Sequence, residues 1–368
     1  MIWTPLLNRI PCPRKHPAKR YLMKPFKPFT TAAATLVCCL LLVTAWGNAQ
    51  TFFISGKTMG TFYHIALVSP ANIDVEKIQT RIDRQLKTIN QHLSMYQADS
   101  ELSRFNAAPA HTPFAVSSDF HAVLRTAQHL HQITGGAWDG TVKPLVDLWG
   151  FGTKKRIRKL PDPDHISGLL ETTGFEHIQL QPGHISKSVQ HLTLDLGSIA
   201  KGYGVDRICA LLRASGFNNF LVEIGGEIYA SGVKDNKLAW RVGISRPEKK
   251  LALQQIYKAV SVRDMAVATS GNYRNYITIE DRTFSHIINP VTGYPVENRN
   301  ASVTVIAPDC TFADGLATAL MVMDAKEGLK LVNGLEQVEV MIMTTPEKTD
   351  SSTFETILSD GFRRFLPH

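Results

Sequence analysis

Cysteine is scarce in this 368-residue chain, which contains only five. Three of them lie in the first 49 residues, and Cys209 and Cys310 are the two that remain. Cysteines and histidines nowhere show the spacing of a zinc site, which argues against a transition-metal centre. The sequence leaves open whether the two cysteines pair, although Cys209 lies on the apolar stripe of a predicted helix.

Common nucleotide-binding signatures are absent as well. The chain has neither a P-loop nor a GxGxxG fingerprint after a predicted strand. It also lacks repeats, low-complexity segments and linkers after residue 50, so the sequence predicts one compact unit rather than several domains. Its 44% hydrophobic and 8% aromatic residues are sufficient for a globular core.

An excess of positive charge is also missing once the N-terminal segment is set aside. The formal net charge is +8, but the first 49 residues hold seven of the 40 lysines and arginines and no acidic residue. The remainder therefore carries 33 basic against 32 acidic residues. A nucleic-acid partner is not expected, because such partners are attracted by concentrated positive charge.

The N-terminal segment has the form of a secretory signal peptide. Two lysines precede an apolar run over residues 32–43, and small residues stand three and one positions before Gln50. Cleavage is predicted after Ala49, which divides the chain into an N-terminal extension with signal peptide (1–49) and one domain (50–368). An uncleaved anchor and a start at the second methionine are the alternatives left open.

Hydrophobic periodicity predicts a mixture of strands and amphipathic helices. Spacings of three and four predict helices over residues 75–93, 120–130, 312–322 and 325–334. Alternation and short apolar runs predict strands over residues 61–68, 178–180, 191–194, 220–229, 240–244, 301–307 and 338–344. A further hairpin turns at Asp281 and Arg282. Hairpins mixed with paired helices indicate an α+β fold with mixed or antiparallel sheets and packed helices.

The stretch LTLDLGSIAKGYGVD, residues 192–206, is interpreted as a strand end that passes into a helix. It contains an acid, a hydroxyl and a lysine at Asp195, Ser198 and Lys201. Backbone N–H groups at a helix start attract anions, and a nearby lysine adds a full charge. The stretch therefore predicts a phosphate site, with Asp195 and Ser198 as hard oxygen ligands for a cation. A capping aspartate, an ordinary helix and a surface lysine fit the same residues.

Asp314 and Thr318 are four residues apart, which places both side chains on one face of a predicted helix. Together with Asp195 and Ser198 they predict an all-oxygen magnesium site. The alternative is that Asp314 caps the helix and that Thr318 bonds to its own backbone.

Three other stretches carry groups whose role the residues alone leave undecided. His286 precedes an apolar strand end and a Pro–Gly turn, where a lone histidine is more often structural. Glu223 and Glu227 lie in a glycine-broken strand and are either functional acids or part of the outer face. Residues 135–152 hold two tryptophans among glycines, which fits either a loop against a flat ligand or a core loop.

Eight motifs follow one another between residues 52 and 345: KTMGTFY, YQADSELSRFN, GGAWDGTVKPLVDLWGFG, LDLGSIAKGYGVD, IGGEIYASG, SGNY, SHIINPVTGYP and ADGLATAL. In their order and in their residues they resemble the ApbE-type FAD:protein FMN transferases. The resemblance implies a magnesium-dependent enzyme in the periplasm, on the outer side of the cytoplasmic membrane. Such an enzyme takes FAD as substrate, attaches FMN through a phosphoester bond to a threonine of an acceptor protein and releases AMP.

The resemblance also implies roles for individual positions. It implies that FAD is contacted by Met59, Tyr96, Ala137, Trp138, Asp139, Asp195, Lys201 and Ile288. It implies that Mg²⁺ is held by Ser198, Asp314 and Thr318. Three positions depart from the usual family residue: Trp138 stands where Phe is common, Asn289 where Asp is common, and Gly197 where Ser is common.

The implied reaction suits the chemistry of these residues. Lys201 and Mg²⁺ would neutralise the charge that develops during phosphoryl transfer. Tyr96 or Trp138 would lie against the isoalloxazine or adenine ring, since both rings are flat. Threonine is a weak nucleophile that needs a base, and His286 is the candidate because imidazole titrates near neutral pH.

Two alternative functions stay open at this point. Hydrolysis of FAD to FMN and AMP would use the same residues with water in place of threonine. A periplasmic flavin-binding protein without turnover is disfavoured by the metal-binding set, which a carrier does not need. The acceptors suggested by the resemblance are flavoprotein subunits of a sodium-pumping NADH:quinone oxidoreductase or an Rnf-type complex.

Overall fold

The computed structural model describes residues 49–152, 157–248, 255–273, 275–346 and 354–367. The predicted signal peptide, apart from its last residue, lies outside the described residues. Among the helices that are described, none combines the length and the hydropathy that a bilayer crossing needs.

The described residues form eight α-helices: α1 (Val75–Leu93), α2 (Glu101–Ala107), α3 (Ser118–Ile133), α4 (Lys143–Leu148), α5 (Pro163–Leu170), α6 (Ala200–Ala214), α7 (Cys310–Val322) and α8 (Ala325–Asn333). The four helices predicted from periodicity are confirmed as α1, α3, α7 and α8. Capping side chains set where three of them begin, because Asp74, Ser117 and Asp309 accept hydrogen bonds from N–H groups of the first turns of α1, α3 and α7.

The strands of the described residues are β1 (Gln50–Thr58), β2 (Thr61–Ser69), β3 (Phe114–Ala115), β4 (Ile178–Gln181), β5 (His184–Lys187), β6 (Phe220–Ile224), β7 (Glu227–Ser231), β8 (Trp240–Ser245), β9 (Ile256–Val262), β10 (Met265–Gly271), β11 (Tyr276–Ile279), β12 (Arg282–Ser285), β13 (Asn300–Ala307), β14 (Glu339–Thr344) and β15 (Glu355–Leu358). Eight of them form one sheet of order β1-β2-β6-β7-β10-β13-β14-β15. All seven neighbouring pairs are antiparallel. The expected α+β fold is therefore confirmed, and its sheets are antiparallel.

Both faces of this sheet are covered by apolar layers. Strand β2 shows why, since Tyr63, Ile65 and Leu67 face one layer while Ala66 and Val68 face the other. The first layer contains the buried sides of α1, α3, α6 and α7, and the second contains the β8–β9 hairpin and the C-terminal 3₁₀ turn. Strand β13, in the interior of the sheet, is accordingly buried along its whole length.

A third, smaller apolar cluster joins α4, α5 and the β11–β12 hairpin. Its buried members include Leu145, Trp149, Ile166 and Phe284, and Trp149 packs against Phe284 with ring centroids 5.3 Å apart. This lobe supports the chain segment that follows β12, where Ile288 belongs to the same cluster.

The predicted strand end in residues 192–196 is wrong. The stretch belongs to none of the described sheets, and its backbone bonds to two side chains and to the carbonyl of Gly140 rather than to a neighbouring strand. The amide of Asn106 bonds to both the N–H and the carbonyl of Leu194, at 2.8 and 2.9 Å. The ammonium of Lys187 donates to the carbonyl of Leu192 at 2.9 Å. The segment before α6 is thus an irregular chain held in a fixed place.

The single strand predicted over residues 220–229 is also wrong, because it is a hairpin of β6 and β7. Gly225 and Gly226 form its turn with φ values of 59° and 106°. Glycine adopts this left-handed region readily because it has no Cβ. The turn is further fixed by Glu223, whose Oε1 accepts a hydrogen bond from the N–H of Gly226 at 2.6 Å.

Candidate active site

Two hairpin turns and one strand end meet at one end of the large sheet. They are the Met59–Gly60 turn between β1 and β2, the Gly225–Gly226 turn between β6 and β7, and the end of β10, whose last two residues are Ser270 and Gly271. Antiparallel pairing places them at the same edge, and the N–H of Gly225 accordingly donates to the carbonyl of Phe62 at 3.1 Å. A functional site at this edge can therefore combine side chains from distant parts of the sequence.

A cavity of about 390 Å³ opens at this edge. Its volume lies in the range typical of small-molecule sites. Ten of the twelve residues predicted from the sequence line it: Ala137, Trp138, Asp139, Asp195, Ser198, Lys201, His286, Ile288, Asp314 and Thr318. The lobe built on α4 contributes one wall through Val142, Val146 and Phe151.

Lys201 lies between two buried carboxylates at the base of the cavity. Its Nζ donates to Glu227 Oε1 at 2.6 Å and lies 3.3 Å from Asp314 Oδ1. The side chains of Glu227 and Asp314 are only 6% and 4% exposed, whereas that of Lys201 is 27% exposed. The lysine is therefore the member of this group that solvent, or a ligand, can still reach.

The two carboxylates are poorly solvated and disturb each other's titration. Burial raises the pKa of Glu227 to about 8, against the opposing charge of Lys201 and with a further contribution from Asp314. Burial likewise raises the pKa of Asp314, although Lys201 and the N–H of Gly202 favour its ionised form. Burial disfavours charge on Lys201, but the two carboxylates outweigh it and raise its pKa. When both carboxylates are ionised, the group carries two negative charges against one positive charge, so a bound cation would favour this ionised state.

Asp314 also satisfies the start of a neighbouring helix. Helix α6 has no side-chain cap of its own, and the N–H of Gly202 donates instead to Asp314 Oδ2 at 2.9 Å. The alternative that Asp314 caps its own helix is wrong, because Asp309 accepts from the N–H of Phe312 at 2.8 Å and fills that role in α7. The carboxylate of Asp314 thus joins α6 and α7 at the base of the cavity.

A second carboxylate joins the same two helices one turn further along α6. Asp206 accepts from the backbone N–H groups of Cys310 and Thr311 at 2.9 and 2.8 Å. The helices approach closely here, since a Cβ built on Gly202 would lie 2.2 Å from the carbonyl oxygen of Cys310. Glycine at position 202 is therefore required by the distance between α6 and α7.

Hydroxyl groups complete an oxygen-rich set near Asp314. Thr318 Oγ1 lies 3.1 Å from Ser270 Oγ and donates to the carbonyl of Asp314 at 3.4 Å. Thr318 thus makes the hydrogen bond to its own helix backbone that was its alternative role. Its hydroxyl also contacts the hydroxyl of Ser270. A carboxylate with hydroxyl oxygens is the kind of donor set that Mg²⁺ prefers, so these residues fit the implied metal.

Trp138 belongs both to the core and to the cavity wall. It is 2% exposed and packs against Phe175, with ring centroids 6.1 Å apart. The adjacent carboxylate of Asp139 accepts from the N–H groups of Thr141 and Phe175 at 2.7 and 2.9 Å, and lies 3.3 Å from His131 Nδ1. The carboxylate therefore holds the loop that presents Trp138.

The other predicted site residues differ in their surroundings. Asp195 lies on the cavity wall and accepts from the N–H of Gly197 at 2.8 Å, and burial raises its pKa. Met59 and Tyr96 are not among the lining residues. Met59 packs against Gly204 of α6, and Tyr96 is 80% exposed in the loop after α1. Their contact with FAD stays a prediction.

His286 also lines the cavity, and it comes from the segment directly after β12. Its Nδ1 is 3.0 Å from the carbonyl oxygen of Asn275, and its ring approaches that of Phe151 at 6.3 Å. A carbonyl accepts only, so the neutral ring carries its proton on Nδ1 and Nε2 is the basic nitrogen.

Glu227 and Ser270 are the functional side chains that sequence reasoning did not assign. The sequence left Glu227 as either an acid or part of an outer face, yet all five residues of β7 are buried. The available signal was a glutamate that follows two glycines and begins an otherwise apolar strand. Ser270 was named only as part of the SGNY motif. Its contact with Thr318 depends on how α7 packs against the end of β10.

The sequence and the fold are both similar to those of known proteins. The sequence profile of the ApbE family matches residues 59–342. The chain is 40% identical over 332 residues to the FAD:protein FMN transferase of Vibrio cholerae, which covers 90% of this chain and 97% of that protein. It is 34% identical over 321 residues to the FAD:protein FMN transferase of Escherichia coli strain K12, which covers 85% of this chain and 88% of that one.

Two solved structures are similar in fold. The flavin transferase ApbE from Vibrio cholerae matches with a TM-score of 0.77 at 39% identity, covering 86% of this chain and 100% of that one. The apo form of the flavinyl transferase ApbE from Pseudomonas stutzeri matches with a TM-score of 0.77 at 33% identity, covering 86% and 97%. The profile match contains every cavity-lining residue named above.

Proposed function

Because the chain belongs to the ApbE family, we propose that it is an FAD:protein FMN transferase that moves FMN from FAD to a threonine of an acceptor protein. The observation that carries the proposal is the group of Lys201, Glu227 and Asp314 at the base of a cavity with an aromatic wall. Such a cavity suits a substrate that joins flat rings to a doubly charged pyrophosphate.

Magnesium belongs to this proposal through the donor set. Asp314 and Thr318 would hold the ion, with the hydroxyl of Ser270 beside Thr318 and with Ser198 on the same cavity wall. When bound, the ion would supply positive charge that neutralises the pyrophosphate and the negative charge that develops during phosphoryl transfer. Lys201 adds a second, fixed positive charge, and Glu227 orients it through the 2.6 Å contact.

The reaction also needs a base and a leaving group. The hydroxyl oxygen of the acceptor threonine forms a bond to the phosphorus of the FMN half of FAD, and the bond to the bridging oxygen breaks. AMP leaves with that oxygen, and Lys201 stabilises its charge. His286 takes the proton of the threonine hydroxyl on Nε2, since its Nδ1 faces the carbonyl of Asn275.

The place and the partners of the reaction follow from the same proposal. A protein exported by the predicted signal peptide would act in the periplasm, on the outer side of the cytoplasmic membrane, and would begin at Gln50. Mass spectrometry of the N-terminal peptide of the exported protein checks this, and an intact leader would contradict it. The proposed acceptors are flavoprotein subunits of a sodium-pumping NADH:quinone oxidoreductase or an Rnf-type complex.

The decisive experiment mixes the purified protein with FAD, Mg²⁺ and a purified acceptor subunit of either complex. The expected result is a fluorescent FMN adduct on the acceptor in a denaturing gel, together with release of AMP. The adduct should be lost with EDTA and with an acceptor whose threonine is replaced by alanine. Release of FMN and AMP without any adduct would instead identify an FAD pyrophosphatase, which is the second candidate function.

A further inference from the structure

A rigid turn follows β12 at the mouth of the cavity. We call residues 290–294 the rim turn. Asn289 fixes it from its first end, because its Oδ1 accepts from the N–H of Val291 at 2.9 Å and its carbonyl accepts from Gly293 at 2.8 Å. The indole N–H of Trp149 donates to the carbonyl of Gly293 at 2.8 Å. The turn is therefore held in one conformation by the lobe beneath it.

Close packing adds to these hydrogen bonds. Gly293 has a φ of 75°, and a Cβ built on it would lie 2.5 Å from Ile166 Cγ2. The backbone thus rests directly on α5 with no space for movement toward the core. A segment that is already ordered loses little conformational entropy when a partner binds to it.

The outer surface of the rim turn is apolar in spite of this ordered support. Val291 is 67% exposed, and Tyr294 is 43% exposed while its ring packs against Trp149 at 5.8 Å. Single exposed apolar residues are ordinary on protein surfaces, so exposure alone decides nothing. Here both side chains belong to one short turn whose five residues carry no charge.

The position of the rim turn is what gives this surface a function. Ile288 and Pro290 line the cavity immediately before Val291 in the chain. A Cβ built on Gly136 would lie 4.0 Å from Val291 Cγ2, so Val291 also adjoins the loop that presents Trp138. A polypeptide that brings a hydroxyl into the cavity past Ile288 and Pro290 would therefore contact Val291.

We propose that the rim turn is the docking surface for the acceptor protein, with Val291 and Tyr294 packing against an uncharged segment next to the acceptor threonine. The inference rests on the proposed function, because only a transferase has a protein substrate to dock. Tyrosine is enriched at protein interfaces, where it combines apolar area with a polar end. The surface recognises the acceptor and leaves the binding of FAD to the cavity below.

The test replaces Val291 with asparagine and measures two properties of the full-length mature protein. FAD affinity is measured by fluorescence titration without acceptor, and the KM for the acceptor subunit is measured with saturating FAD and Mg²⁺. The matched control is Leu238→Asn, since Leu238 is 61% exposed in the turn between β7 and β8 and outside the cavity lining. Val291→Asn should raise the KM for the acceptor about tenfold, the scale of burying part of an aliphatic side chain.

Two results would overturn the docking proposal. One is a KM for the acceptor that stays within about twofold of the Leu238→Asn value, a difference too small for a packed contact. The other is a loss of FAD affinity as large as the loss of transfer, which would make Val291 a flavin contact. If the wild-type protein forms no adduct on either acceptor, the proposed function itself fails, and the docking proposal with it.

Discussion

Replacing Gly202 with alanine tests whether the contact between α6 and α7 sets the geometry of the charged group. In an ordinary helix interior this change is stabilising by up to about 1 kcal/mol, because glycine is a poor helix former. Here the new Cβ would lie 2.2 Å from the carbonyl oxygen of Cys310 and 2.9 Å from the Cβ of Asp314. The first of these neighbours is backbone, so the helices must separate.

The size of the effect follows from those distances. Ordinary van der Waals contact begins at 3.4 Å, so the helices must move apart by about 1 Å at this point. Overpacking of this kind costs roughly 1–3 kcal/mol of unfolding free energy. Lys201 is the residue before Gly202, and the Gly202 N–H bond to Asp314 would lengthen as well. A displacement of about 1 Å in a catalytic arrangement can lower the rate about a hundredfold.

Gly204 provides the matched control on the same helix. A Cβ built there would lie 3.0 Å from Met59 Cε and 3.1 Å from Ile224 Cδ1, which are the ends of flexible side chains. Gly204→Ala should therefore change the transfer rate and melting temperature far less than Gly202→Ala. The assay measures FMN transfer under saturating FAD together with thermal unfolding. Equal rates and equal melting temperatures for the two variants would refute the idea that helix separation sets the site.

Two further predictions concern charge at the site. Asp314→Asn keeps an oxygen for the N–H of Gly202 but removes the charge, so FMN transfer measured against Mg²⁺ concentration should fall about a hundredfold or more, at ~1.4 kcal/mol per tenfold. A near-normal rate with normal Mg²⁺ dependence would remove Asp314 from the metal set. The hydrogen bond to Asp139 raises the pKa of His131 in spite of burial, so its contribution to stability is present at low pH and is lost as the pH rises through the folded pKa. His131→Gln should therefore lower the unfolding free energy more at about pH 5.5 than at about pH 9, and a constant difference in denaturant titrations would contradict this.

Much of the architecture could be predicted because it depends on local periodicity. The 19 residues of α1 bury Ile78, Ile82, Leu86, Ile89 and Leu93, which is the stripe that the sequence displays. The two strand predictions that proved wrong depended on features that periodicity does not show. Residues 192–196 have the apolar alternation of a strand, but Lys187 and Asn106 satisfy their backbone, and no local pattern reveals such distant partners. The strand over residues 220–229 missed the turn that Gly225 and Gly226 form.

Some features of the site could likewise be predicted from the sequence, and others could not. Asp314 and Thr318 could be paired from their spacing, since a single helix fixes their geometry. The salt bridge between Lys201 and Glu227 could not be predicted, because the two residues are 26 positions apart and meet only when α6 packs over the β6–β7 hairpin. The resemblance to a family supplied most of the remaining lining residues, and it did so without indicating which carboxylates touch the lysine.

The order of strands in the large sheet has a consequence for how the molecule acquires its activity. Each strand of that sheet pairs with the strand that precedes it among the eight, so the sheet can grow by successive additions as the chain lengthens. Long segments of other structure lie between some consecutive strands of the sheet, and closing these long loops costs chain entropy. Lys201, Glu227, Ser270 and Asp314 enter at four separate stages, and the last arrives only when α7 docks. A nascent or truncated chain that ends before α7 can therefore hold most of the sheet while lacking the carboxylate that completes the charged group.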